Sequence, residues 1–381
     1  MALQTFIDTN SDRYFPNDTT SLLRVGNTQE YLLQTIEGIL RGYPPKLPWA
    51  SPYGRVYRGL FLGPTPLAYF FLLLSEKQPN LIINGKTPFE WCQAYLNLGQ
   101  ETIPLLFTDT CGITNEYLAY NSVLACASKE IQYAQKVTSA LRNLDAPPGH
   151  CERMNGRAGA LYLLRMIRKF LPSLTEEIKR VTRILIEQIL TQEPWTWGDA
   201  KRQYYGTVHG DIGIITQIII SEPSYAPQLE AKLSLILELQ EENGNWPVVP
   251  EKKSFGLIHF CHGAPGIIVS LLAIREYFPL LHQRIDIAIE RGRGLIWEKG
   301  LLKKEPNICH GITGNALALV GSERGHFLEH ATPQKIREGI EAGIFINGDD
   351  PFGLLWGAAG RAWVWMNWQI DKGKCIPYTD V

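Results

Sequence analysis

The chain has 381 residues, with 37 Lys+Arg against 38 Asp+Glu, a formal net charge of -1 and 45% apolar residues. That apolar content can bury a large core, which excludes a wholly disordered chain. Balanced charge with no basic block argues against nucleic acid or an anionic membrane as the main partner.

In chain order, the first residues, Met1 to Tyr14, carry Asp8, Asn10, Ser11 and Asp12 and lack an apolar core. A signal peptide is therefore not expected, and the first ~20 residues are expected to be flexible. Pro64 to Leu74 is the longest apolar stretch, about 11 residues against the roughly 20 needed to cross a bilayer. A soluble, cytoplasmic protein is expected. The seven cysteines (Cys92, Cys111, Cys126, Cys151, Cys261, Cys309 and Cys375) are scattered and odd in number. They read as free thiols or metal ligands rather than as a disulfide framework.

The 34 glycines hold the strongest pattern. Along the chain come LGPTPLAYFF from Leu62, CGITNEYLAY from Cys111, NGRAGALYLL from Asn155, HGDIGI from His209, CHGAPGI from Cys261, CHGITGN from Cys309 and WGAAGRAWVW from Trp356. Each is a glycine turn followed by an apolar helical run. The first glycines (Gly63, Gly112, Gly156, Gly210, Gly263, Gly311 and Gly357) are spaced by 49, 44, 54, 53, 48 and 46 residues. Length alone suggests two or three domains, but this period indicates seven repeats of one unit in a single domain over 1–381.

Each unit reads as a helical hairpin. Helical spacing follows the glycines, as in Ala160, Leu161, Leu163, Leu164 and Ile167, or Ile267, Ile268, Leu271, Leu272 and Ile274. A second amphipathic run completes the unit, such as Leu229 to Leu239 or Ile285 to Ile296. Period-2 alternation is scarce, so strands are minor. Linkers carry Pro147-Pro148-Gly149, Asn243-Gly244-Asn245-Trp246-Pro247 and Asn347-Gly348. Seven hairpins, about fourteen helices, form an open solenoid or a closed ring; neither end repeat is polar like a solenoid cap, which favours the ring. In a ring the residues beside the glycines converge at one end, bringing together His209, Cys261, His262, Cys309 and His310.

Without a CxxC pair, a zinc finger or ribbon is disfavoured. Cys-His-Gly instead occurs twice, 48 residues apart, at the same point of its repeat. Two thiolates and one imidazole from adjacent hairpins make a three-ligand zinc site with an open position. Spacing leaves open which of His262 and His310 is the ligand. A lone Cys-His-Gly is better read as a buried packing residue beside a turn. Two in register, with His209-Gly210 one repeat earlier, are better read as a site. Cys92, Cys126 and Cys375 read as packing residues, and Cys111, beside a repeat glycine, is expected to face the cavity. Glu152 is a carboxylate four residues upstream of the repeat glycine Gly156; on its own it reads as a solvated charge.

These strings resemble the lanthionine synthetase C-like family, its eukaryotic branch more than its bacterial one. The resemblance rests on NGRAG (155–159), YYGTVHGDIGI (204–214), GNWP with HFCHGAPGI (244–247, 259–267), GLLKK with CHGITGNA (300–304, 309–316) and PFGLLWGAAG (351–360). It implies an all-α fold, an α/α toroid of seven inner and seven outer helices with zinc at one end. By motif position it implies Cys261, Cys309 and His310 as zinc ligands, His209 as the catalytic His-Gly, His262 near the metal and Glu152 as an acidic residue beside the site. The implied chemistry is addition of a thiol, glutathione or a peptide cysteine, to a dehydroalanine or dehydrobutyrine residue. Zinc would activate the thiol, His209 would protonate the α-carbon, His262 would stabilise the enolate oxygen and Glu152 would set the charge of a histidine.

Some positions depart from the family. Trp356 stands where an acidic residue is common, the first repeat around Tyr57 to Tyr69 is Pro-rich, and Asp211 follows His209-Gly210 where small or apolar residues are usual. These departures bear on the co-substrate pocket rather than on the metal ligands. A non-catalytic zinc- and glutathione-binding adaptor, or a biosynthetic enzyme with a small electrophile, are the alternatives. A glycosidase would need two opposed carboxylates, which the repeat turns do not offer. A prenyltransferase subunit would use an Asp-Cys-His set that this pattern does not match.

Overall fold

The computed structural model describes residues 13–17, 21–46, 58–99, 110–144, 150–197, 202–250, 256–345 and 352–368. Tyr57, the linkers at 147–149 and 347–348, and Cys375 lie outside them. The elements in order are α1 (Thr28–Gly42), α2 (Pro64–Lys77), α3 (Pro88–Leu96), α4 (Glu116–Ser128), α5 (Ile131–Arg142), α6 (Arg157–Phe170) and α7 (Thr175–Leu190). A two-strand hairpin follows, β1 (Thr196–Trp197) and β2 (Arg202–Gln203). Then come α8 (Asp211–Ser221), α9 (Ala226–Glu238), α10 (Ala264–Ile274), α11 (His282–Lys299), α12 (Ile312–Ala316), α13 (Gly321–Glu329), α14 (Pro333–Glu341) and α15 (Ala358–Met366).

Two burial patterns separate two layers. Helices after the glycine turns are buried almost all round, as in α10, where only Leu272 and Ala273 are not fully covered. Others, such as α7, bury one stripe; α7 covers Ile178, Val181, Leu185, Ile186 and Ile189, the three- and four-residue spacing of a helix with one wet face. The inner layer is thus α2, α4, α6, α8, α10, α12 and α15, and the outer helices pack against it. Each inner helix contacts the next from α2 to α12, and α15 contacts α2. The ring closes because α1, from the start of the chain, supplies the outer helix for α15. This is the expected all-α toroid, closed rather than solenoidal, with α13 packed against α12 and α14 against α1.

The glycine pairs are explained by close approach. A Cβ on the second glycine would meet a carbonyl oxygen six residues upstream: Arg153 for Gly159, Thr207 for Gly213, Phe260 for Gly266, Ile308 for Gly314 and Leu354 for Gly360, all within 1.9–2.2 Å. The incoming turn therefore lies directly against the first turn of its helix, and only glycine leaves room. The first glycine is the residue that caps the inner helix, and Gly263 does so at φ 111, a region open to glycine. The second repeat differs from its expected register. There Asn115, not Gly112, caps α4, its side chain accepting from the Leu118 amide. A side-chain cap replaces the glycine turn, which shifts the equivalent position by three residues.

Candidate functional site

Numbering each turn from its capping residue makes the convergence explicit. The residues immediately before the cap are Leu62, Thr114, Asn155, His209, His262, His310 and Trp356, one from each unit. Backbone hydrogen bonds join neighbouring turns at this end. Leu60 donates to Ile113, Thr114 to Met154, Arg153 to Val208, Cys261 to Cys309 and Cys309 to Leu355. These bonds hold side chains from distant parts of the sequence at one level of the ring.

Cys261, Cys309 and His310 meet there. Their Sγ and imidazole nitrogen atoms all lie within 4.8 Å of one another. Tetrahedral zinc with two thiolates and one imidazole needs donor separations of about 3.3–3.8 Å, so this set closes around an ion with small side-chain adjustments. The chemistry of the donors agrees. Cys309 is pushed well above the ordinary thiol range, chiefly by its hydrogen bond to Cys261 and then by burial, while His310 pulls it down. Two thiols sharing a hydrogen bond beside an imidazole form a set in which a cation can replace the proton. The His310 amide donates to the Asn307 side chain at 2.8 Å, fixing this turn. The His310 ring lies 5.9 Å from His259 and 6.3 Å from Trp356, which stands edge-on to Phe61 at 4.6 Å. The departure at Trp356 thus places an indole, not a charge, beside the candidate ligands.

Glu152 and His209 form the second grouping. Glu152 is 1% exposed and is not a solvated charge. Its carboxylate accepts from the Met154 and Asn155 amides and contacts His209 Nδ1 at 3.0 Å. The His209 ring stacks on Trp197 with centroids 3.8 Å apart and planes 17° apart. His262 lies 6.4 Å from His209, and its Nδ1 is buried with no hydrogen-bond partner among the described residues. Burial, then the nearby His209 and His310, push His262 down to about 4, so it is neutral at pH 7. His262 is not within the three-donor group, so the geometry separates the two histidines that spacing left open.

Cys92, Cys126 and Cys111 are fully buried. The expectation that Cys111 faces the cavity is not met: it lies four residues before the true cap, Asn115, and packs inside, where burial raises it to about 12. Three residues near the site were not singled out from sequence: Trp197, His259 and Asn307. The string HFCHG did carry His259, but a histidine two residues before a candidate ligand has no distinguishing spacing of its own.

Asp211, the first residue of α8, is 3% exposed, and its Oδ2 accepts from Gln203 at 2.8 Å. Burial pushes its carboxyl up to about 6, Lys232 and the Gln203 hydrogen bond pull it down, and Glu193 adds to the rise. A carboxyl raised on folding favours the folded state fully below its ordinary value of 3.8, and that contribution is lost as pH rises through about 6. The difference amounts to at most about 3 kcal/mol. Glu116, raised to about 7 by burial, acts in the same sense. Asp211→Asn is therefore expected to gain stability over the parent between pH 4 and pH 7 in thermal melts. Parallel Tm-against-pH curves for the two proteins would refute this account of Asp211.

Three comparisons bear on the site. A family profile described as lanthionine synthetase C-like protein matches residues 68–372. A glutathione S-transferase LANCL1 from Danio rerio is 27% identical over 183 residues, covering 43% of this chain and 44% of the relative. The match thus spans less than half of that relative. Among solved structures, a nisin cyclase superposes with a TM-score of 0.57 at 16% identity, covering 90% of this chain and 93% of its own.

Proposed function

The chain belongs to the lanthionine synthetase C-like family, and we propose that within it this protein catalyses the zinc-dependent addition of a thiol to an α,β-unsaturated acceptor, forming a thioether. The acceptor is a dehydroalanine or dehydrobutyrine residue, or a small electrophile of the same kind. The name of the Danio rerio relative supports a glutathione-like donor. The observation that carries the reading is the approach of Cys261, Cys309 and His310 within 4.8 Å at the same end of the ring as the His209–Glu152 pair.

Zinc bound by Cys261, Cys309 and His310 would supply Lewis acidity that lowers the pKa of a thiol in its open position. The remaining work falls to the chain. The new S–C bond forms at the β-carbon, the C=C electron pair moves towards the carbonyl oxygen, and the α-carbon then takes a proton. His209 is suited to deliver that proton. Glu152 engages Nδ1 and can balance an imidazolium, leaving Nε2, which has no hydrogen bond among the described residues, to face the substrate. The Met154 and Asn155 amides donate to the Glu152 carboxylate and fix its position beside His209. His262, neutral at pH 7, would donate to the enolate oxygen.

We assign this function to a single toroid domain, 1–381. Among the described residues no helix is long and apolar enough to cross a membrane. Among the described residues six cysteines are free and buried, which accords with a reducing compartment, and we assign the protein to the cytoplasm. The test is mass spectrometry of a dehydroalanine peptide incubated with zinc-loaded protein and a panel of thiols. A protein-dependent mass gain equal to the thiol is expected. Bound zinc and glutathione with no adduct from any thiol would replace catalysis by a binding role.

A further inference from the structure

We propose that the hairpin of β1 and β2 is a clamp for the proton-donating histidine, in which Trp197 and Asp211 are positioning residues. The inference rests on the reading of His209 as the α-carbon acid and adds what holds that ring in place.

Three observations carry it. First, the two tryptophans of β1 and its approach divide their work. Trp195 is 2% exposed, its indole N–H donates to the Ile189 carbonyl, and it belongs to the core. Trp197 lies outside that core, half-buried, with its indole against His209 on one side and Tyr204 edge-on at 5.7 Å. Anchoring the hairpin thus falls to Trp195, which frees Trp197 for another task.

Second, the imidazole needs a clamp. Its hydrogen bond to Glu152 fixes one atom, Nδ1, and leaves the ring free to turn about the Nδ1–Oε2 line. A nearly parallel indole at 3.8 Å removes that rotation and so sets the direction of Nε2. A donor misplaced by about 1 Å can cost as much as 10²-fold in rate.

Third, the register of so short a hairpin needs a pin. Trp197 faces Arg202 and Thr196 faces Gln203, and a slip of one residue would turn Trp197 to the opposite face. Gln203 is held by Asp211 at the start of α8, two residues from His209. Asp211 keeps this bond although its other oxygen is buried without a partner, a cost that stability alone does not explain. The aspartate at this unusual position ties the clamp to the helix that follows the clamped residue.

The test uses the zinc-loaded full chain. Trp197→Leu should lower kcat for thiol addition by roughly 10–100-fold with the thiol KM unchanged, while Trp197→Phe, which keeps a flat ring, restores most of the rate. Asp211→Ala should lower kcat in the same direction with zinc content intact. In histidine-labelled protein, the His209 Cε1–H resonance, assigned by its absence in His209→Gln, should lie upfield under the indole ring current. It should move downfield in Trp197→Leu and in Asp211→Ala. A Trp197→Leu protein that retains kcat within about threefold, or an unshifted resonance, overturns the proposal. If Trp197→Leu fails to fold by circular dichroism, Asp211→Ala and Trp197→Phe decide it. If the wild type adds no thiol at all, the thiol-addition reading fails, and the resonance still decides whether the clamp exists.

Discussion

Cys309→Ala is expected to reduce the metal content of the purified protein from about one zinc per chain to a small fraction of that. Zinc with three protein ligands has no spare donor to recruit. Cys261 and His310 alone would hold the ion much more weakly. Losing only a hydrogen-bond partner of a ligand already costs roughly 10–100-fold in affinity, and losing a ligand costs more. The structure makes Cys309 the sharpest choice. Its Sγ is hydrogen-bonded to Cys261 and lies beside His310, and its backbone joins the turns of three consecutive units through Cys261 and Leu355. The substitution removes the sulfur and leaves those backbone bonds in place, so the fold should survive. Cys151→Ala is the control: Cys151 is a fully buried thiol in contact with Gln192, away from the donor group. Metal analysis of both variants settles the matter, and full zinc retention in Cys309→Ala would sink the ligand assignment.

The ring and the donor group were legible because glycine is irreplaceable where one backbone lies against another. Gly159, Gly213, Gly266, Gly314 and Gly360 each face a carbonyl oxygen, and that requirement writes the period into the sequence. The paired Cys-His-Gly strings then fall at equivalent points of adjacent units. Where a different device does the same job, the pattern misleads. Asn115 caps α4 through its side chain, and the period places the second unit on Gly112 instead. Closure was only weakly legible, because it depends on α1 packing against α15 from the far end of the chain. Trp197 could not be read at all. Its role depends on a two-residue strand pair, Thr196–Trp197 against Arg202–Gln203, tied to α8 by the hydrogen bond from Gln203 to Asp211. The one trace of it was Asp211, an unexpected charge that the sequence relates to the co-substrate pocket and that the structure pairs with Gln203.

His209→Ala is expected to keep its zinc and to lose thiol addition by about 10²–10⁴-fold, the range for a positioned acid or base. The loss of rate alone would not identify the proton donor, because removing a stacked ring can also disturb its surroundings. The stereochemistry of the product does. With a fixed acid on one face of the acceptor, the α-carbon receives its proton from that face, and the adduct has a single configuration. In heavy water that proton becomes a deuteron at one defined position. Without His209, residual adduct should take its deuteron from solvent on either face and lose configurational purity. His262 is the other candidate, 6.4 Å away, but nothing among the described residues partners its Nδ1, whereas His209 has Glu152 at 3.0 Å to balance a positive ring. A slow but stereochemically pure His209→Ala would therefore transfer the proton-donor role to His262 and leave His209 with orientation alone. A Glu152→Gln variant separates these cases further. It keeps a hydrogen-bonding side chain beside His209 but removes the negative charge next to the ring, so addition should slow while the product keeps its single configuration.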